Sequence, residues 1–218
     1  MEKKKLDKIA LNRILNFLAF FVFIFLMVFN LTWADNSPPV KGGQFPVINL
    51  PIPKNPNEKQ YLGLKGKGYF KINQIKAEAV IITILNLYCP SCHSTAPAIN
   101  ELYHRIENNP DLQSRMKLIG IGVGNSPYEV EILKEAYNLS FPIFPDKDFN
   151  IHKVLGEVRT PFFIAVKMNG DGSHEVVHTQ LGGFHEAGPF LYRMLEAYGL
   201  KQKDLPREIE DLGISMNK

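Results

Sequence analysis

The chain of 218 residues is 45% hydrophobic and 22% charged, with a formal net charge of +3. That excess sits entirely in residues 1–34, which hold five of the 25 Lys and Arg and two of the 22 Asp and Glu, leaving 20 of each sign in the remainder. Such a balance gives no electrostatic footprint for nucleic acid, and a chain of this length buries a full core without disulfide staples, so its two cysteines must be read for chemistry.

The first 34 residues place Lys3, Lys4, Lys5, Lys8 and Arg13 ahead of an uncharged run over 14–31, whose polar residues are Asn16 and Asn30. A basic flank followed by an apolar run is an export signal. Small residues at Thr32 and Ala34 suit signal-peptidase cleavage after Ala34, yet the run is also long enough to span a bilayer. Cleaved signal and retained anchor therefore both stand as expectations, and either one exports the rest of the chain. A buried core helix is disfavoured because Phe17, Phe20, Phe21, Phe23, Phe25 and Phe29 leave no polar face.

Residues 35–43 read as a linker rich in Pro and Gly, and 44–200 as one folded domain. Residues 44–68 suggest short extended pieces, FPVINLPIP and KQYLGL, broken by Pro and Gly. The run 79–88 (AVIITILNLY) predicts a central strand covered on both faces, with Cys89 where it ends. Helical spacing predicts a helix over 90–106, with Pro90 in its first turn. A buried strand over 116–123 follows, then an amphipathic helix over 127–137 whose Val130, Leu133 and Tyr137 face inward while Glu131, Lys134 and Glu135 form a solvated face. Next come a short strand over 141–144 and a helical turn or two over 149–155. Strands at 162–166 and 175–181 flank a turn, Asn169-Gly170-Asp171-Gly172, before a last helix over 187–198. The tail 201–218 is assigned no role. The phenylalanines at 141, 144, 149, 162 and 163 read first as core, with an edge of a groove as a secondary role for some. The order βαβα, hairpin, helix implies a mixed sheet with helices on both faces.

The stretch YCPSCH, residues 88–93, satisfies two patterns, because C-x-x-C is a dithiol motif and C-x-x-C-H a c-type haem attachment motif. A cysteine at the start of a helix lies where amides and the macrodipole favour negative charge, which makes Cys89 an attacking thiolate and Cys92, one turn on, a buried resolving thiol.

These residues resemble the thioredoxin superfamily, and about 42–198 is similar to its exported TlpA/ResA-like thiol-disulfide oxidoreductases. Pro97, five residues after Cys92, matches the proline in the family's active-site helix. Thr160-Pro161, ahead of FFIAVKMNGDG, matches the segment bearing its cis-proline, and Gly182-Gly183 the glycine end of its last strand. The resemblance implies a three-layer α/β/α fold with a mixed central sheet. It implies that Pro161 is cis and faces a Cys89–Cys92 redox disulfide that replaces any cofactor, and that Thr160 presents backbone groups to a substrate cysteine. Pro90 and Ser91 between the cysteines, and His93 after them as a solvent-facing residue beside the thiolate, would tune the site. It further implies a reductant outside the cytoplasm, in the periplasm or on the outer face of the inner membrane. Such a protein would take electrons from a membrane dithiol donor and pass them to exported protein disulfides, with cytochrome c maturation as one setting. Departures exist too. Thr83 stands where many thioredoxins bury a carboxylate, Thr95 where some exported reductases carry glutamate, and Tyr88 where tryptophan is common.

Three other readings remain beside it. Haem attachment gains from export and His93 but would have to displace the helix that starts at the motif. A copper module would use both thiolates with His93 or one of His152, His174, His178 and His185. A zinc site has only one C-x-x-C to draw on. The peroxiredoxin pattern wants proline seven residues before its cysteine and threonine or serine three before, where this chain has Ile82 and Asn86.

Overall fold

A computed structural model of the chain describes residues 13, 16–21, 37–170 and 172–200. The chain divides into two compact units, Met1–Asp35 and Asn36–Lys218. Within the first unit, Arg13 and residues 16–21 are helical. Most of the expected signal or anchor, the Ala34 cleavage point and the tail 201–218 lie outside the described residues. Among the described residues no helix is long and apolar enough to cross a membrane.

In chain order the second unit comprises β1 (Leu50–Pro51), α1 (Pro56–Tyr61), β2 (Tyr69–Phe70), β3 (Ala79–Leu85), α2 (Pro90–Glu107), α3 (Pro110–Gln113), β4 (Met116–Val123), α4 (Pro127–Tyr137), β5 (Ile143–Asp146), α5 (Asn150–Val154), β6 (Phe162–Met168), β7 (His174–Leu181) and α6 (Ala187–Tyr198). Five strands form one sheet in the order β5-β4-β3-β6-β7, parallel among β3, β4 and β5 and antiparallel across β3–β6 and β6–β7. This is the expected mixed sheet. Alternate side chains of β3 explain its unbroken apolar run: Ile81 and Leu85 join a core with Ile99, Leu102, Leu133 and Phe190 of α2, α4 and α6, while Val80, Ile82 and Ile84 join a second core with Phe45, Leu50, Phe70 and Leu155. Each fully buried Ile or Leu contributes about 1.5–3 kcal/mol, so the central strand alone anchors both layers.

Several expected boundaries shift, each for a local reason. KQYLGL is no strand: its first residues close α1, which Asn55 caps by accepting the Asn57 amide, with Pro56 in the first turn. The strand expected over 79–88 stops at Leu85, because the Asn86 side chain takes over the backbone partners a further strand residue would need. The strand expected over 141–144 begins at Ile143; the Pro142 carbonyl accepts from Gly120 but its nitrogen has no proton to give. Phe149 takes a left-handed backbone conformation at the start of α5 and is exposed rather than core. Lys134 is paired with Glu58 at 2.5 Å across to α1 instead of standing on a free solvated face. Gly42 and Gly43, in the segment read as linker, exchange backbone hydrogen bonds with Val176 on the outer strand β7.

After β7 the chain passes against α2 so closely that a Cβ on Gly183 would lie 1.9 Å from Thr95 Oγ1. That oxygen is buried and donates to the Ser91 carbonyl at 2.8 Å, so it has nowhere to retreat. We expect Gly183→Ala to lower stability by about 1–3 kcal/mol, the usual cost of overpacking. Denaturant unfolding should show a smaller loss when the same change is made in a Thr95→Ala background. Equal losses in both backgrounds would mean that Thr95 is not the obstacle.

Candidate active site at the start of helix α2

Asn86 builds the turn that delivers Cys89. Its amide donates to the Val123 carbonyl at 2.6 Å, its side-chain oxygen accepts the Tyr88 amide at 2.7 Å, and its carbonyl accepts the Cys89 amide at 3.2 Å. Fully buried Asn125 holds the same turn from below by accepting the Leu87 amide at 2.9 Å. The chain then enters α2 with Cys89 as the capping residue, its sulfur accepting the Cys92 amide at 3.2 Å. Cys89 is half-buried and Cys92 is 1% exposed. Both are free thiols here.

The two sulfurs are driven apart in acidity. Burial opposes ionisation of Cys89, but hydrogen bonds from the Cys92 thiol, from the Thr160 side chain and from the Cys92 and Ser91 amides together hold its pKa below the ordinary thiol value. Cys92 is pushed up to about 12, first by burial and then by the proton it shares toward Cys89. The favoured arrangement therefore keeps the proton on the inner sulfur and the charge on the outer one.

Thr160, with Pro161 after it, lies against the outer sulfur. Their peptide bond is cis, and the Thr160 carbonyl lies 3.4 Å from the Cys89 sulfur, placed to accept its proton in the thiol form. Pro90 and Ser91 occupy the first turn of α2, where the Ser91 carbonyl accepts from both Ser94 and Thr95 hydroxyls. Pro97 lies within the same helix. His93 differs from expectation. It is half-buried rather than solvent-facing, its Nε2 is hydrogen-bonded with the Leu87 carbonyl, and its ring lies 5.2 Å from that of Tyr137. The nitrogen a haem iron would need is thus already engaged in holding the turn before Cys89.

Thr83 and Thr95 both lie in the interior, and the Thr83 hydroxyl has no hydrogen-bond partner among the described residues. Of the histidines considered as third metal ligands, His152 is bonded to the Val158 carbonyl and His174 to the Phe45 carbonyl. Among the described residues no three His, Cys, Asp or Glu side chains gather in a metal-holding group.

Three contributors escaped the sequence reading: Asn86, Asn125 and a latch from Tyr88 to α4. The Tyr88 ring is 68% exposed beside Cys89, and its hydroxyl donates to Glu129 at 2.6 Å. Glu129 in turn accepts the Ser126 amide and hydroxyl, completing a capping box, and these bonds, that from Tyr88 foremost, hold its carboxyl down to about 2. The S-x-x-E pattern was readable in Ser126-Pro127-Tyr128-Glu129; its link to Tyr88, 41 residues away in sequence, was not.

The thiol-disulfide oxidoreductase ResA of Halalkalibacterium halodurans is 24% identical over 116 residues, 53% of this chain and 61% of that protein. ResA of Bacillus thuringiensis is 23% identical over 113 residues, 52% of this chain and 62% of that protein. The matched stretch thus spans about three-fifths of these relatives. Among solved structures, a thiol:disulfide interchange protein from a Bacteroides species superposes with TM-score 0.54 at 15% identity, covering 76% of this chain and 93% of its own. The thioredoxin domain of a thiol-disulfide oxidoreductase from Bacteroides vulgatus gives 0.53 at 14% identity, covering 71% and 98%. These likenesses establish a thioredoxin-like fold. The AhpC/TSA family pattern matches residues 44–178, from the approach to β1 into β7, and on that match the chain belongs to the AhpC/TSA family.

Proposed function

We propose that this chain is an exported thiol-disulfide oxidoreductase that reduces protein disulfides through Cys89 and Cys92. The observation that carries the reading is the asymmetric pair itself: a half-buried sulfur held below ordinary thiol acidity beside Thr160-Pro161, backed by a buried sulfur at about 12. In the proposed cycle the Cys89 thiolate attacks one sulfur of a substrate disulfide, forming a mixed disulfide and releasing the other substrate sulfur as a thiolate that takes up a proton. Cys92 gives up its proton and attacks the Cys89 sulfur, so the Cys89–Cys92 disulfide forms and the second substrate sulfur leaves as a thiol. Two electrons pass to the substrate. An external dithiol must then return them, and a membrane dithiol donor fits the export signal in residues 1–34. The reducing direction and a setting such as cytochrome c maturation rest on the resemblance to ResA-type proteins.

Two measurements test the chemistry. Because the thiolate is the nucleophile, a lowered pKa shifts alkylation of Cys89 to lower pH, and a raised one shifts Cys92 upward. Reduced protein treated with iodoacetamide near neutral pH should therefore gain one label on Cys89, with Cys92 labelled only after unfolding. Preferential labelling of Cys92 would reverse the assigned roles. In insulin reduction, Cys89→Ser should remove activity, whereas Cys92→Ser should accumulate mixed disulfides visible on non-reducing gels. Full activity without Cys89 would rule the mechanism out.

A further inference from the structure

A cleft of about 380 Å³ shares Thr160 with the cysteine site and runs from Asn86 along the loop that precedes β6. This loop is held at several points. Buried Asp146 accepts the Ile151 and His152 amides at 3.0 and 2.8 Å, the His152 carbonyl accepts the Glu157 amide at 2.9 Å, and His152 Nε2 bonds the Val158 carbonyl at 2.8 Å. Gly156 and Glu157 both adopt left-handed backbone conformations, φ 74° and 52°, which is unusual for a glutamate and is kept only where the surroundings enforce it. The outcome is a simple alternation: Val158 is buried as an anchor, while Glu157 and Arg159 on either side of it are exposed and line the cleft. Among the described residues neither of these two charged side chains has an ion-pair or hydrogen-bond partner. Arg159 is adjacent to Thr160, and Glu157 lies further along the loop.

Two unpartnered charges of opposite sign, fixed in order along an open polar cleft, do not suit a simple anion, which would draw cations only. They suit a polypeptide that lies along the loop with its own charges in the complementary order. We propose that Glu157 and Arg159 are specificity-determining residues that favour protein disulfides whose reacting cysteine has a carboxylate next to it and a cationic side chain one position further out. This inference rests on the thiol-disulfide reading and adds the charge pattern of the substrate.

The test uses two chromogenic mixed disulfides of thionitrobenzoate with the peptides Lys-Asp-Cys-Asp-Lys and Asp-Lys-Cys-Lys-Asp. Both are symmetric about cysteine, so chain direction does not matter, and both have the same composition. Thionitrobenzoate release by the reduced full-length chain is compared with release by dithiothreitol, which corrects for the intrinsic reactivity of each peptide. Exposed ion pairs of this kind predict a preference of about threefold to tenfold for the first peptide, lost in about 0.5 M salt. The exchange variant E157R/R159E should reverse that preference, with an unchanged circular dichroism spectrum and denaturant midpoint showing that the protein is folded. Equal corrected rates for both peptides in the wild type, or an unchanged preference in the exchange variant, would overturn the proposal while leaving the dithiol chemistry intact. No release from either peptide would remove the dithiol reading and this inference with it.

Discussion

The Cys89 sulfur accepts the Cys92 amide at 3.2 Å, and the rest of the site is arranged around keeping that contact in place. A thiolate there gains from the first free amides of α2, but only if the chain arrives at the helix with the sulfur turned toward them. Asn86 bonds the turn to the Val123 carbonyl and Asn125 accepts its Leu87 amide, while His93 holds the Leu87 carbonyl from the helix side and Tyr88 reaches Glu129 on α4. Four side chains thus immobilise a turn of three residues. Held this way, the turn presents the Cys89 sulfur to the helix amides, while burial of Cys92 and the bond between the two sulfurs separate their acidities.

The inner half of the site is organised differently. Thr83 lies on β3 between Ile81 and Leu85, whose side chains join the core that also holds Cys92, so the period of two puts Thr83 on that same face. Its hydroxyl is fully buried and unpaired among the described residues. Thr95, on α2, is spent on the Ser91 carbonyl and pressed by Gly183. Neither group is a carboxylate, so neither can hold the Cys92 proton as a base. Cys92 itself stands near 12 because burial and then the hydrogen bond it shares toward Cys89 raise it by more than the Asn86 backbone and the Thr160 side chain lower it. In the proposed cycle resolution is accordingly the step that proton transfer governs, and attack by Cys89 is the step already prepared.

Much of this was legible in the sequence because it depends on patterns that are local or periodic. The unbroken apolar run of β3 and the βαβα order predict the sheet, and C-x-x-C before a helical pattern predicts a capped sulfur. What sequence reading missed depends on contacts between distant segments. AVIITILNLY reads as strand through Tyr88 because Leu87 and Tyr88 have strand propensity; only the Val123 carbonyl, 37 residues on, shows why Asn86 ends it. KQYLGL has strand-like composition, but Asn55 and Pro56 start a helix that carries through Tyr61. His93 looks like a free first-turn residue until Leu87 and Tyr137 are placed around it. Glu157 and Arg159 belong to the segment before Thr160-Pro161 that carries the family resemblance, but only the folded loop shows them exposed on either side of a buried valine.

Membership of the AhpC/TSA family and the absence of the peroxidatic pattern are reconciled at one residue. That pattern requires a hydroxyl three positions before the reactive cysteine, and here the position is Asn86. Its amide donates to the Val123 carbonyl and its side-chain oxygen accepts the Tyr88 amide, so the side chain braces the turn and supplies an amide where the pattern wants a hydroxyl. Seven positions before Cys89 stands Ile82, fully buried in the second core, where its side chain packs beneath the sheet and takes no part in the site. The family relation therefore fixes the sheet and the placement of the cysteine. In the proposed cycle the residues around that cysteine present one sulfur beside Thr160 and keep the second within reach in the core.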